Sequence, residues 1–385
     1  MASGPTFSWQ WVLLAVALGA SLGAWALGAA EHAPRKSDVP ALASSGAEHP
    51  LAPPPDLPRV EAADPASAPP SPSAGTESDY VEADGGTLDE QKRALLVNLG
   101  RELSLTPEQL AEVSAIVLGA RWLGQGNPKV TRHPMTRAEC REIRRENAPL
   151  PAGDARCGKK NMVALYDPAR GETAASAKVC IDQYEFPNIP CEYPVTWVRA
   201  DEAVRLCRAV GKRICDAHEW EGACAGALKP AEEEYAFGQR RMMIEYLHNQ
   251  TRELVWSYGK VKDHSRCAMN SRKSPGCLTP TWQLCGSNTY PAGAFPGCRS
   301  SFGVYDLNGN AAEHMNLPLA PEELASRGGL GETEMKGSWF IFAREEAHLD
   351  DCRWRAPMWH RTRIDDPNSH FNYHLGFRCC GDVSE

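Results

Sequence analysis

No two cysteines of this chain are separated by two, three or four residues, and none precedes Cys140. A zinc ribbon or knuckle needs such close pairs to converge on one ion, and a thioredoxin-type site needs Cys-x-x-Cys, so both are excluded. A dinucleotide loop is also missing: Gly124-Gln125-Gly126 lacks the third glycine and the strand–helix setting. Positive charge is not in excess, with 41 Lys and Arg against 49 Asp and Glu. That balance argues against a nucleic-acid binder, which needs a basic patch. The deficit is concentrated at the start, where residues 1–90 hold three basic and twelve acidic residues.

What is present divides the chain into four parts. Residues 1–10 contain no Lys or Arg, and Trp11 to Ala30 form an uncharged apolar run of twenty residues. About 20 such residues span a bilayer as a helix. The absent basic n-region argues against a cleaved leader, while Ala24-Trp25-Ala26 is a weak cleavage site. Residues 1–30 are therefore read as a signal anchor or a signal peptide. Residues 31–86 read as a disordered Pro/Ala/Ser/acidic linker. Eleven of the thirty prolines lie between 31 and 90, where Tyr80 is the only aromatic. Such a stretch buries too little apolar surface to offset its ordering entropy, and its prolines keep it extended. A tether is the plain reading, and a docking site for a proline-recognising partner is the other.

Residues 87–129 form a small helical segment. Thr87-Leu88-Asp89-Glu90 fits a capping box, with Leu95, Leu96, Leu99 and Leu103 following at helical spacing. Thr106-Pro107-Glu108-Gln109 starts a second helix with proline at its first position, and Leu110, Val113, Ile116 and Val117 form its apolar stripe. The pair is too small to be stable alone, so it is expected to pack on the downstream residues or on another chain.

Residues 130–385 carry all fourteen cysteines. That load implies up to seven disulfides and an oxidising, extracytoplasmic compartment. It outweighs Arg35 and Lys36, which favour a cytoplasmic side after the apolar run but are offset by Glu31 and Asp38. One helix is expected from Asp201 to about Val210, and a second from near Asp216 carrying Trp220. The rest reads as short strands and long loops. Glu232, Glu233 and Glu234 read as a solvated face. His348, His360, His370 and His374 read as surface or hydrogen-bonded histidines.

Three blocks, in order, resemble the sulfatase-modifying-factor or formylglycine-generating-enzyme family. The first runs from Pro194-Val195-Thr196-Trp197 through Cys207 and Gly211-Lys212-Arg213-Ile214 to Glu219-Trp220-Glu221. The second is Phe302-Gly303-Val304-Tyr305-Asp306-Leu307-Asn308-Gly309-Asn310-Ala311-Ala312-Glu313. The third is Lys336-Gly337-Ser338-Trp339, followed by Leu375-Gly376-Phe377-Arg378-Cys379. The resemblance implies an α+β, loop-rich, disulfide-stapled domain of variant C-type-lectin-like fold over 130–385, with little regular secondary structure. It also implies that Lys212 and Arg213 pair with carboxylates such as Glu219, and that Trp220 is core.

Family enzymes oxidise a sulfatase cysteine to formylglycine, using copper on two thiolates. The positions matching those thiolates hold Ile341 and Glu346, so copper is not expected. The resemblance further implies the bridges Cys207–Cys379 and Cys224–Cys352, which engage Cys352. It implies calcium at Asn310, Ala311 and Glu313, since a hard cation takes oxygen ligands, and a weaker second site beginning at Asn270. A candidate pocket by analogy comprises Ser338, Trp339, His314 and Trp359. The expectation is a membrane-tethered extracytoplasmic protein of the cell envelope whose domain is a non-catalytic binding module. Its partner is a peptide, a glycan or another envelope protein. The alternative is an active formylglycine-generating oxidase with a rearranged metal site around Cys352 and Ser338.

Overall fold

The computed structural model describes residues 81, 86–147, 153–278, 280–329, 331–356 and 362–384. The apolar run at 1–30 and nearly all of the linker at 31–86 lie outside the described residues. Among the described residues, no helix is long and apolar enough to cross a membrane.

The first described element begins at a closed capping box. The Thr87 hydroxyl accepts from the Glu90 amide and the Glu90 carboxylate accepts from the Thr87 amide, starting α1 (Leu88–Glu102). Thr106 and Gln109 repeat the device for α2 (Pro107–Gly119), and Thr136 and Glu139 repeat it for α3 (Arg137–Glu146). Leu95, Leu99, Val113 and Val117 of the helical pair share one core with Val204 and Leu206 of α4 (Ala200–Ala209). The pair therefore packs on the cysteine-rich body, which supplies the burial it lacks alone. The second expected helix is α5 (Ala217–Ala225), and Trp220 is buried within it.

Two small sheets carry the centre. One is antiparallel, in the order β1 (Met162–Leu165), β2 (Val179–Asp182), β7 (Cys379–Asp382), β3 (Arg213–Ile214). The other places β4 (Ala312–Leu317) between β5 (Glu332–Lys336) and β6 (Leu375–Phe377), with β4 and β6 parallel. A single residue, Arg378, separates β6 from β7, so one short segment stitches the two sheets together. Phe377 stacks on Phe186 with centroids 4.5 Å apart. Arg378 turns into the buried interior, and Cys379 bridges to Cys207 in α4.

All fourteen cysteines form seven disulfides, and none is free. Cys207–Cys379 and Cys224–Cys352 are among them. The adjacent Cys379 and Cys380 point to opposite faces of β7, so they reach different partners, Cys207 and Cys215. The architecture is α+β, stapled and loop-rich.

Two short helices follow α5: α6 (Ala231–Glu234) and α7 (Arg241–Thr251). Glu232 and Glu233 are exposed, as a solvated face requires. Glu234 corrects that reading. It is buried and its Oε1 lies 2.9 Å from Arg353 Nη1, because α6 turns its last residue inward.

Candidate functional site

The Lys336-Gly337-Ser338-Trp339 block and the Gly309-Asn310 turn interlock. Gly337 has φ +75°, and a Cβ there would meet Leu307 O at 3.0 Å. That close approach puts Ser338 against the turn, where its Oγ accepts from Gly309 N at 2.9 Å. Gly309 itself has φ +94°, and a Cβ would strike Met269 Cγ at 2.8 Å. Ser338 is thus a buried peg. His314 is also fully buried, with Nε2 2.9 Å from Val198 O, and burial pushes its pKa down to about 4. Of the candidate pocket set, Ser338 and His314 are core residues. Trp339 alone reaches an edge, and Trp359 lies outside the described residues.

That edge is aromatic. Trp339, 7% exposed, stacks on His374 at 4.3 Å between centroids, and half-buried His348 stacks on Trp354 at 4.2 Å. Phe342 meets both Trp339 and His348 edge-on or tilted. Burial holds His348 below the usual histidine range, so it is neutral at neutral pH. Its Nδ1 donates to Leu349 O at 2.6 Å, leaving Nε2 as an acceptor. Among the described residues, neither that nitrogen nor the Trp339 Nε1 donor has a hydrogen-bond partner. Trp339 was a candidate from the sequence, Phe342 and Trp354 were not, and His348 is one of the histidines expected to be surface or hydrogen-bonded. Their aromatic identities were the available signal, without a spacing to join them.

The positions matching the copper thiolates are filled otherwise. Ile341 is buried in the core between Phe340 and Phe342. Glu346 is exposed and pairs with Lys262, and that hydrogen bond holds its carboxyl below the usual range. Cys352 cannot serve as a displaced ligand, because its sulfur is bonded to Cys224. No thiolate is available around Ser338.

The side chains expected to hold calcium are already engaged by other groups. Asn310 Oδ1 accepts from Tyr290 N at 2.8 Å, and its amide nitrogen donates to Glu185 at 2.6 Å. Both Glu313 carboxylate oxygens accept from the Arg378 guanidinium, and one also accepts from Trp220 Nε1. A fixed guanidinium already supplies the positive charge there. Ala311 directs its N–H at Glu185, 2.7 Å away. Asn270 is exposed, and none of the described hydrogen bonds joins its side chain to further oxygen ligands.

Two other groupings bring metal-type side chains together. In Cys215, Glu219 and Cys380 the two sulfurs are bonded to each other. In Glu221, Glu234 and His248 the carboxylates face Lys336, Arg353 and Arg355. Glu221 lies 2.5 Å from Lys336 and 2.9 Å from Arg355, and these cations hold it well below the usual carboxylate range despite burial. Arg213 pairs with Glu219 at 2.6 Å, and Lys212 with Asp182 at 2.5 Å. The charged residues of the three blocks thus build the interior.

Residues 154–383 match the sulfatase-modifying factor enzyme 1-like domain family. No curated protein shows a significant match. Among solved structures, the one titled "Crystal Structure of CarF" is 13% identical over 55% of this chain and 91% of its own, with a TM-score of 0.32. The Major Tropism Determinant P3c variant is 11% identical over 58% of this chain and 53% of its own, with a TM-score of 0.27.

Proposed function

Since the chain belongs to the sulfatase-modifying factor enzyme 1-like family, we propose that it uses this domain to bind a partner at the cell envelope and not to oxidise cysteine. The observation that carries the reading is the state of its sulfur: every cysteine is in a disulfide, and Ile341 and Glu346 stand where a thiolate pair would sit. A cuprous ion wants soft thiolate ligands, and none is free. The edge around half-buried His348, backed by Trp339, Trp354 and His374, is the proposed binding surface. Trp339 Nε1 and His348 Nε2 lie beneath the surface without partners among the described residues. A glycan, a peptide or an envelope protein with a flat or hydroxyl-bearing face is the proposed partner. The seven disulfides support an oxidising, extracytoplasmic setting. The apolar run Trp11–Ala30 supports tethering to a membrane, with residues 31–86 as the spacer.

The test is direct. The full chain is incubated with a cuprous salt, oxygen and a cysteine-containing sulfatase peptide, and the peptide is weighed by mass spectrometry. The expected result is an unchanged peptide and no copper retained on the protein. Conversion of the cysteine to formylglycine, with copper bound, would establish the oxidase instead.

A further inference from the structure

A narrow cleft runs between the helical pair and the cysteine-rich body. Ser104 and Gln109 line it from the pair, and Lys159, Lys160, Val210 and Lys212 line it from the body. Ser104 and Gln109 precede the family match at 154–383, so the cleft exists only where the added helices dock. Gly211, between Val210 and Lys212, has φ +73°, a conformation that favours glycine. A Cβ there would lie 3.0 Å from Lys159 Nζ and 3.2 Å from Gln109 Nε2. Both nitrogens thus converge over one bare Cα. The cap of α2 settles which Gln109 atom is turned this way: Oε1 accepts from Thr106 N at 3.1 Å, which leaves the amide nitrogen facing Gly211.

The fold makes no evident use of these donors. The carbonyls of Leu206, Cys207 and Arg208 at the end of α4 already accept from Val210, Lys212 and Gly211 N–H groups, so Lys159 is not needed as a cap. Lys212 is committed to Asp182. Among the described residues, Lys159 and Lys160 have no carboxylate partner, and the Gln109 amide nitrogen has no acceptor. The loop that carries the two lysines is held in place, with Cys157 bridged to Cys180 and Lys160 O accepting from Asn188 Nδ2 at 3.2 Å.

We propose that this cleft seats one oxyanion, a sulfate, phosphate or carboxylate group, on Lys159 Nζ and Gln109 Nε2, with Lys160 adding positive charge at its wall. An ammonium and a fixed amide donor make charge-assisted hydrogen bonds to such a group. The enclosed space has room for about two waters, enough for one such group and for no larger body. The source is the free inorganic ion or the acidic group of a larger molecule whose remainder lies outside. The site shares no residue with the aromatic edge and does not rest on the role proposed there.

The experiment reads acetylation of Lys159 in the full chain by mass spectrometry, in sodium sulfate or in sodium chloride at equal ionic strength. Exposed Lys129, on the loop after α2, is the internal reference. Expected is several-fold slower modification of Lys159 in millimolar sulfate, with Lys129 unchanged. Gln109→Glu keeps the capping oxygen of α2 and replaces the donating nitrogen with a second carboxylate oxygen. The sulfate effect is expected to vanish in that variant while its circular dichroism matches the native chain. A Lys159 rate indifferent to sulfate in the native chain overturns the proposal, whatever the variant's stability. Equal slowing at Lys129, or an undiminished sulfate effect in a folded Gln109→Glu chain, also overturns it. A third arm supplies a sulfated oligosaccharide at the same concentration of sulfate groups. Stronger protection than by inorganic sulfate assigns the site to the acidic group of a larger partner, and equal or weaker protection assigns it to the free ion. Either result upholds the oxyanion site.

Discussion

Arg378 grips Glu313 through two N–H donors, with Nη2 2.6 Å from Oε1 and Nε 2.7 Å from Oε2. Both side chains are completely buried. Arg378 also donates to the carbonyls of Asp182 and Tyr305, so one side chain ties β2, the Asn308-Gly309-Asn310 turn region and β4 to the junction of the two sheets. Removing one partner leaves a buried charge uncompensated, which costs about 3–5 kcal/mol. Arg378→Met is expected to lose stability on that scale in urea denaturation. Arg378→Met combined with Glu313→Leu is expected to recover part of it. A single variant within about 0.5 kcal/mol of the native chain would show that the pair is not structural.

Neighbouring glutamates on α6 separate buried from exposed pairs. Glu234 faces Arg353 in the interior, whereas Glu233 meets Arg170 with both half-exposed. Glu234→Gln is expected to cost about 3 kcal/mol, and Glu233→Gln under about 1 kcal/mol, because solvent screens the second pair. Equal effects in denaturant melts would contradict the placement of α6.

The bridge Cys207–Cys379 joins residues 172 apart and fastens α4 to β7. Replacing both cysteines with alanine is expected to cost about 2–5 kcal/mol and to leave no new free thiol. Thermal unfolding of the variant against the native chain checks this. A change in the reactivity of any other cysteine would reveal a different pairing.

Acid stability has a defined contribution from His314. Its folded pKa is depressed to about 4 by burial, while an unfolded histidine titrates near 6.5. The folded form therefore binds fewer protons than the unfolded one between those values. This contribution is complete above about pH 6.5 and is lost as pH falls toward 4. Each unit of depression corresponds to about 1.4 kcal/mol. His314→Asn is expected to flatten the stability curve between pH 7 and 4 relative to the native chain. Buried Asp306, raised to about 6, acts in the opposite sense but is common to both proteins. Parallel curves would place His314 in solvent.

Local chemistry made part of the fold legible in the sequence. The capping residues Thr87 and Thr106 act through partners three positions on, so a short window reveals both helix starts. The blocks around Lys212, Asn310 and Arg378 were readable as a set through their family resemblance. The pairs Cys140–Cys191, Cys157–Cys180 and Cys267–Cys298 were not, since nothing local encodes which distant sulfur comes near. The site was harder still. Family analogy put Ser338 and His314 in a candidate pocket, but burial makes one a peg and the other a core histidine. Trp354 and His348 belong to the aromatic edge only because the chain folds back on Trp339.

The proposed binding role rests on a domain of the family in which every cysteine is held in a disulfide. Thiol titration of the denatured, unreduced full chain, followed by mass-spectrometric mapping of its disulfides, tests it most directly. No free thiol is expected, with peptides joined through Cys207–Cys379 and Cys224–Cys352. Two free thiols with Cys352 among them, and a cuprous ion bound to the native protein, would contradict it.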